Sequence, residues 1–298
     1  MEFDFSSYNQ DFELFTKNLP DFERLYLFNL SEKEKHDLFS DLLKSFYYKE
    51  LTFEKTLYLF IKIAIESLTS KCHEFYLSLF RDLPIEKAKK LAKESVIREK
   101  NTLNSKLTYG EIDFFSFLSI LEIVNPSKND VLVDLGHGTG RAIVCASLLY
   151  GSIFKKIIGI EIIPELNLGS LEIIENLKSI LNSNVFFSGH STDLVVQEGD
   201  FTTNDYFNWS DVGNIDYNFF LLFFIKVLSI NIDIIFANST CFDDDLMEFL
   251  SLKASNLKSG AKIITFTKEL ENKDLKIIDR RQFAMSWGTA TSIIHQRI

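Results

Sequence analysis

The chain is poor in cysteine, carries no excess of positive charge and has no long hydrophobic run, and each shortage excludes a class of protein. Three cysteines in 298 residues, Cys72, Cys145 and Cys241, are too scattered for a disulfide framework or a zinc cluster and indicate a reducing compartment. The longest apolar run, Phe219–Ile225, is too short to span a bilayer. We expect it to form a core helix rather than a membrane-facing or partner-facing patch.

The charge balance is acidic, with a formal net charge of −10, and almost all of the excess lies beyond residue 106. A strongly basic footprint, which nucleic-acid binding proteins usually carry, is therefore missing. The first residues are acidic and aromatic, unlike a secretory or mitochondrial presequence. We expect an intracellular protein, cytoplasmic or nuclear, with no membrane association.

Hydrophobic spacing divides the chain into two parts. From residue 10 to about 100 the spacing is helical, as in Leu38, Leu42 and Phe46, which predicts an all-helical N-terminal domain over residues 1–105. From about residue 130, strand and helix patterns alternate, which predicts an α/β domain over residues 106–298 with a parallel sheet. The predicted strands are 130–134, 156–160, 193–197, 232–237 and 261–267, followed by an edge hairpin over 282–287 and 289–296.

A glycine-rich turn after the first predicted strand indicates a nucleotide-like cofactor. The strand leads into Asp134, then Gly136, Gly138 and Gly140, and a stretch of good helix formers follows. A dinucleotide site requires a third glycine where Arg141 stands. Asp134 would repel a pyrophosphate and would pair with an ammonium group. S-adenosyl-L-methionine (SAM), which has an ammonium and a ribose but no phosphate, therefore fits better than NAD.

Polar residues follow three further strands, and parallel strands place such residues at one edge of a sheet. Glu161 can accept two hydrogen bonds from a ribose diol. Asp200 can accept a hydrogen bond from an adenine amino group, and Phe201 can cover the ring. Asn238 ends the fourth strand, near where the reacting methyl group would point. Each residue alone could be a helix cap or turn former, but together they predict a SAM site.

Several of these segments resemble the DOT-one-like family (disruptor of telomeric silencing), the histone lysine methyltransferases that lack a SET domain. Tyr109–Glu111 resembles that family's cofactor-covering loop, Asn238–Phe242 its asparagine motif, and Ser286–Trp287 a tryptophan in its lysine channel. The glycine turn and the strand-end acids match as well, and the resemblance covers about residues 106–298. It implies a class I (Rossmann-like, seven-stranded) SAM-dependent methyltransferase domain, with Tyr109 and Glu111 at the cofactor.

The resemblance also implies a catalytic role for four residues in the methylation of a protein lysine. Asn238 would orient the amine, with Tyr109, Phe242 and Trp287 as walls of its channel. Core packing is the alternative for Phe242 and Trp287, because this chain is rich in phenylalanine. His137, inside the glycine turn, could act as a base, but we expect its side chain to face solvent.

Three departures from the family pattern bear on the substrate. Ser239 replaces a second asparagine, Thr240 a phenylalanine, and Ile293 or Ile294 a tyrosine. The lysine-rich tail that grips nucleosomal DNA is missing, and the net charge of −10 argues against strong autonomous nucleic-acid binding. The substrate could be a histone or a non-histone protein. Methylation of a small molecule or RNA, and a non-catalytic SAM-binding role, stay open, as does the oligomeric state.

Overall fold

The computed structural model describes residues 68–98, 109–183, 187, 189–202 and 232–298. Most of the predicted N-terminal domain and the run Phe219–Ile225 lie outside the described residues. The predicted boundary between residues 105 and 106 also lies outside them and stays a prediction. The chain divides into two compact units, residues 1–75 with 179–190, and residues 76–178 with 191–298. In the first unit, the rings of Phe75 and Phe187 pack edge to face, 5.4 Å apart.

The second unit contains a seven-stranded sheet. Its strands are β1 (Val131–Leu135), β2 (Lys156–Glu161), β3 (Asp193–Glu198), β4 (Ile234–Ala237), β5 (Lys262–Phe266), β6 (Leu275–Met285) and β7 (Gly288–Arg297). The order across the sheet is β3-β2-β1-β4-β5-β7-β6. Strands β1 to β5 run parallel, whereas β7 runs antiparallel to both β5 and β6. The predicted α/β class, with five parallel strands and an edge hairpin, is confirmed.

The hairpin is longer than the sequence predicted. Strand β6 begins at Leu275 rather than at residue 282, and its pairing with β7 shifts register between Ile277 and Asp279. Most of its residues are exposed or half-buried, and charged residues interrupt any regular alternation. A solvent-facing edge strand with a bulge lacks the apolar alternation from which strands are recognised.

Within the described residues, five α-helices have both of their ends defined. They are α1 (Ile85–Arg98), α2 (Phe114–Val124), α3 (Arg141–Tyr150), α4 (Pro164–Ser183) and α5 (Asp244–Ala254). The side chain of Asp113 caps α2 by accepting from Phe115 N at 3.0 Å, and the side chain of Asp243 caps α5 by accepting from Leu246 N. Among the residues that the structure describes, no helix is both long and apolar enough to cross a membrane.

The core positions the glycine turn and the strand ends. All five residues of β1 and all four of β4 are buried, as expected for central parallel strands. On one face, β1, β4 and β5 pack against α5. Elsewhere, Ala88 and Ala92 of α1 pack against Ile163 and Leu166 near the start of α4, and the Tyr109 ring lies against the same cluster. Helix α1 therefore reaches the carboxyl end of β2.

Candidate functional site

The glycine turn adopts a backbone that other residues rarely adopt. Gly136, Gly138 and Gly140 have φ angles of +82°, +59° and +87°, in the left-handed region that favours glycine. A Cβ atom on Gly138 would lie only 2.7 Å from the Tyr109 ring. A Cβ on Gly136, in contrast, would meet nothing within 4 Å. The turn is therefore closed on the Tyr109 side and open at Gly136.

Three buried carboxylates surround this turn. Asp134, Glu161 and Glu111 are 2%, 5% and 6% exposed. Burial, and secondarily the charges of Glu161 and Glu111, raises the pKa of Asp134 well above its ordinary value. Asp134 Oδ1 has no hydrogen-bond partner in the described part of the chain. A buried acceptor without a donor is costly, so this oxygen is suited to a ligand that brings one.

Glu161 connects the end of β2 to the glycine turn. Its Oε2 accepts from Gly138 N at 2.8 Å and its Oε1 from Ile163 N at 2.8 Å. Burial nevertheless raises the pKa of Glu161 to about 7, against the lowering effect of these backbone donors. Each carboxylate oxygen has two acceptor positions, so Glu161 keeps capacity for the two hydroxyls of a ribose.

The charge and the hydrogen-bonding groups of the site fit SAM and not a dinucleotide. The side chains of Asp134 and Glu161 offer acceptors, and three acids lie close together. A pyrophosphate brings further negative charge and would be repelled, whereas an ammonium group would supply the donor that Asp134 Oδ1 lacks. The predicted cofactor therefore agrees with the charge and hydrogen-bonding capacity of the site.

The loop Tyr109–Glu111 lies against the glycine turn, and Glu111 holds it there. Glu111 Oε1 accepts from Thr139 Oγ1 at 2.6 Å and also from the Tyr109 hydroxyl. Glu111 Oε2 forms an ion pair with Arg141 Nε. Burial, followed by the nearby charge of Glu111, raises the pKa of Tyr109 well above its ordinary value. Tyr109 is therefore a neutral donor whose ring closes one side of the turn.

Two other parts of the sheet fix the same loop. Asn238 Nδ2, after β4, donates to the Gly110 carbonyl at 2.7 Å. Glu111 N donates to Ser286 Oγ at 3.0 Å, and Ser286 N donates to the Glu111 carbonyl at 2.8 Å. The Trp287 ring packs on Gly110 so closely that a Cβ there would overlap it, yet Trp287 is 41% exposed. Tyr109, Asn238 and Trp287, predicted from distant segments, therefore meet at this loop.

Asp200 and Phe201 follow β3, and Phe242 follows β4. Asp200 Oδ1 accepts from Thr202 N at 2.8 Å and from Thr202 Oγ1 at 2.6 Å, so it caps its own turn. The rings of Phe201 and Phe242 lie 6.1 Å apart, and both pack against the core cluster of β1, β4 and β5. The structure thus brings these two phenylalanines together. Phe242 has the core packing that was the alternative to a place in the channel wall.

The expectation that His137 faces solvent is wrong. Its side chain is 4% exposed and lies against Gly159 of β2, where a Cβ would overlap the imidazole. Burial lowers the pKa of His137 to about 4, against a smaller opposing contribution from Asn167. The glycine in the neighbouring strand leaves room for the ring, so His137 is a neutral packing residue and not a base at the strand ends.

The sequence did not predict that Arg141 and Thr139 bind Glu111. In the sequence, Arg141 stands out only as a departure from the dinucleotide glycine pattern, and nothing singles out Thr139. The structure also explains the serine at position 239. Ser239 Oγ accepts from Phe266 N at 2.8 Å and donates to the Phe266 carbonyl at 3.1 Å. The serine that replaces the family's second asparagine therefore bonds to β5 rather than to the cofactor-covering loop.

The sheet order, the antiparallel last strand, the glycine turn after β1 and the acids at the strand ends define a class I SAM-dependent methyltransferase. The family described as "Histone methylation protein DOT1" matches residues 92–289, more than half of the chain. The chain therefore belongs to the DOT1 histone methylation family, and SAM is its cofactor. The predicted resemblance is confirmed.

Solved structures with a similar fold share little sequence. TrmN from Thermus thermophilus is 12% identical, with a TM-score of 0.41, over 68% of this chain and 53% of that one. The rRNA methyltransferase aviRa from Streptomyces viridochromogenes is 10% identical, with a TM-score of 0.42, over 63% and 86%. Aeropyrum pernix fibrillarin with bound SAM is 13% identical, with a TM-score of 0.40, over 61% and 76%. The matched region thus spans about half of TrmN and most of the other two. No curated protein matches the sequence.

Proposed function

We propose that this chain transfers the methyl group of SAM to the ε-amine of a lysine in a protein. The observation that carries the proposal is the meeting of Tyr109, Asn238 and Trp287 at Gly110. This loop lies beside the end of β1, where Asp134 Oδ1 has no partner among the residues that the structure describes. An amine acceptor needs an aromatic, partly dry passage next to the cofactor. Trp287 is 41% exposed, so a substrate side chain can reach this aromatic wall.

In this proposal, residues at different strand ends bind different parts of the cofactor. Asp134 binds the ammonium, Glu161 the ribose diol, and Asp200 with Phe201 the adenine, while Gly136, Gly138 and Gly140 let the chain approach closely. Glu111 acts by holding Tyr109 and the loop, since both of its oxygens already have protein partners. Bound SAM supplies an electrophilic methyl group on a sulfonium. The residues of this chain contribute alignment, which in well-oriented systems is worth about 7 kcal/mol or more.

Asn238 is the proposed group that orients the amine. Its Nδ2 donates to the Gly110 carbonyl, and among the described residues its Oδ1 has only a long contact of 3.4 Å with Thr240 Oγ1. The amide oxygen therefore keeps acceptor capacity for an amine hydrogen. A free lysine has a pKa of about 10.4, so the aromatic walls Tyr109, Phe242 and Trp287 must favour its neutral form by excluding water.

The charge of the chain limits how it reaches a substrate. Phosphate neutralisation supplies most of the affinity for DNA, and a net charge of −10 is unsuited to it. We therefore propose a non-histone protein, or a histone presented by a partner, as the substrate, without strong autonomous nucleic-acid binding. Membership of a histone methylation family supports a place inside the cell, in the nucleus or the cytoplasm.

The test is methyl transfer by the purified full-length chain. Labelled SAM is supplied with core histones, nucleosomes and a hypomethylated lysate, and the label is followed into protein, RNA and small-molecule fractions. We expect methyl-lysine in hydrolysed protein, and much less of it with an Asp134→Asn variant when the SAM concentration is held near the wild-type dissociation constant. Label in RNA or small molecules would instead favour those acceptors, and tight SAM binding without turnover on any fraction would favour a non-catalytic protein.

A further inference from the structure

Arg141 is a charged residue in an unfavourable place. It is the first residue of α3, directly after Gly140, and a helix N-terminus repels positive charge. It is only 6% exposed, and among the described residues it is the single lysine or arginine in the buried set. A buried charge is retained only if close partners compensate for its lost hydration. Its partners therefore indicate why it is there.

The guanidinium contacts a segment far away in the sequence. Arg141 Nη2 donates to the Leu83 carbonyl at 3.0 Å. Its Cζ lies 4.0 Å from the centroid of the Phe80 ring and 5.8 Å from that of Tyr76. These distances are in the range of cation–π attraction. Residues 76–83 precede the region that the family matches, which begins at residue 92.

On its other side Arg141 reaches the loop Tyr109–Glu111 through the ion pair with Glu111. Burial works against the charged guanidinium, but Glu111, followed by Tyr76, outweighs it and raises the pKa of Arg141 above its ordinary value. Glu111 in turn binds Thr139 of the glycine turn and the Tyr109 hydroxyl. One side chain thus joins residues 80–83 to the loop beside the cofactor site.

The geometry of the guanidinium suits this link. Its planar fork makes bonds in several directions at once and stacks on aromatic rings, whereas a lysine offers a single point charge. We infer that Arg141 is a positioning residue that holds the cofactor-covering loop through Glu111 and couples it to residues 80–83. The inference rests on the proposed role of that loop.

The test uses the full-length chain with Trp209→Phe as background, so that Trp287, packed on Gly110 of the loop, is the remaining tryptophan. Four variants are compared by SAM titration calorimetry, thermal melting and Trp287 emission: Arg141→Gln, Arg141→Lys, Phe80→Leu and Arg280→Gln. Phe80→Leu keeps an apolar side chain away from the strand ends, but it removes the ring that faces the guanidinium and packs on Tyr76. Arg280→Gln is the matched control, because Arg280 lies on the exposed edge strand β6 and pairs there with Glu269.

Arg141→Gln should raise the SAM dissociation constant about tenfold or more, the effect of losing a charged hydrogen bond. Arg141→Lys should lie between it and wild type, and Phe80→Leu should raise the constant about threefold, the lower range of a cation–π contact. All three should shift Trp287 emission before SAM is added, and Arg280→Gln should change neither quantity.

Failure of the inference differs from failure of the proposed function. Folded Arg141 variants with wild-type SAM affinity and wild-type emission would overturn the inference. So would a Phe80→Leu variant that melts earlier while SAM affinity and emission are unchanged, since residues 80–83 would then serve stability alone. If Arg141→Gln fails to fold, Arg141→Lys and Phe80→Leu decide. A wild-type chain that binds no SAM contradicts the proposed function, and the emission of the ligand-free variants then decides the inference.

Discussion

Replacing Asp134 by asparagine should stabilise the ligand-free protein and weaken SAM binding. Asp134 is buried, its Oδ1 has no partner among the described residues, and two further acids, Glu161 and Glu111, raise its pKa. Without a ligand the carboxyl is costly in either state: it is ionised without a partner, or it must take up a proton. Asparagine has nearly the same shape and no charge, so it avoids both costs.

The magnitudes follow from the burial. Asparagine keeps a neutral amide at this position, so only the cost of the charge or of the bound proton is removed. A buried group without a partner costs about 1–3 kcal/mol when neutral and more when charged, so we expect a gain on the order of 1 kcal/mol, or about 2–4 °C in melting temperature in a chain of this size. Loss of the charged acceptor should reduce the SAM binding free energy by about 2 kcal/mol, or about 30-fold in dissociation constant. The two effects have opposite signs, which a general packing defect would not produce.

The assay is thermal melting with and without SAM, followed by titration calorimetry. Asp193→Asn is the matched control, because it removes the same charge from the start of β3, where the side chain is 62% exposed and pairs with Lys156. It should change stability by less than about 0.5 kcal/mol and leave the SAM affinity unchanged. A lower melting temperature for ligand-free Asp134→Asn, or an unchanged SAM affinity, would refute the reasoning.

Three further predictions concern the same strand ends. Burial raises the pKa of Glu161 from 4.5 to about 7, so between these pH values the folded chain holds a proton that the unfolded chain releases. The free energy of unfolding should therefore fall by on the order of 3 kcal/mol as pH rises through this range. Denaturant melts of Glu161→Gln should show a flatter dependence of stability on pH. Gly138→Ala should lose about 1–3 kcal/mol of stability, because the residue has φ +59° and a Cβ there would lie 2.7 Å from the Tyr109 ring. It should also weaken SAM binding in titration calorimetry, and a wild-type SAM affinity would contradict a turn that is closed on the Tyr109 side. Asn238→Ala removes the 2.7 Å bond to Gly110; initial-rate measurements should show a larger fall in kcat than rise in KM for SAM, and a change in KM alone would place Asn238 at the cofactor rather than at the acceptor.

The sheet and its cofactor edge were predictable because their signals are local. A buried apolar strand, an acid and three glycines within five residues leave few alternatives to a strand, a left-handed turn and a helix. The position of each later acid relative to its strand then follows from the shared direction of parallel strands. The start of β6 was not predictable, because residues of an exposed edge strand face solvent and carry no apolar alternation.

The contacts that hold the loop could not be read from the sequence, because their partners lie far apart along the chain. Arg141 binds Glu111 and the Leu83 carbonyl, and only the folded sheet brings these groups together. The orientation of His137 depends likewise on Gly159, a residue of the neighbouring strand. The residue types at the site were therefore predictable, whereas the pairing among them was not.

The balance of charge at the strand ends explains why this pairing matters. Three buried acids face one buried arginine, and that arginine is already committed to Glu111. The pair therefore neutralises the loop and leaves Asp134 and Glu161 to a ligand that brings positive charge. If Arg141 were glycine, as in a dinucleotide site, Glu111 would be a third acid without a compensating charge, and the loop would lose one of the contacts that hold it. The pairing of Arg141 with Glu111 thus explains both why position 141 is not glycine and why the site favours SAM.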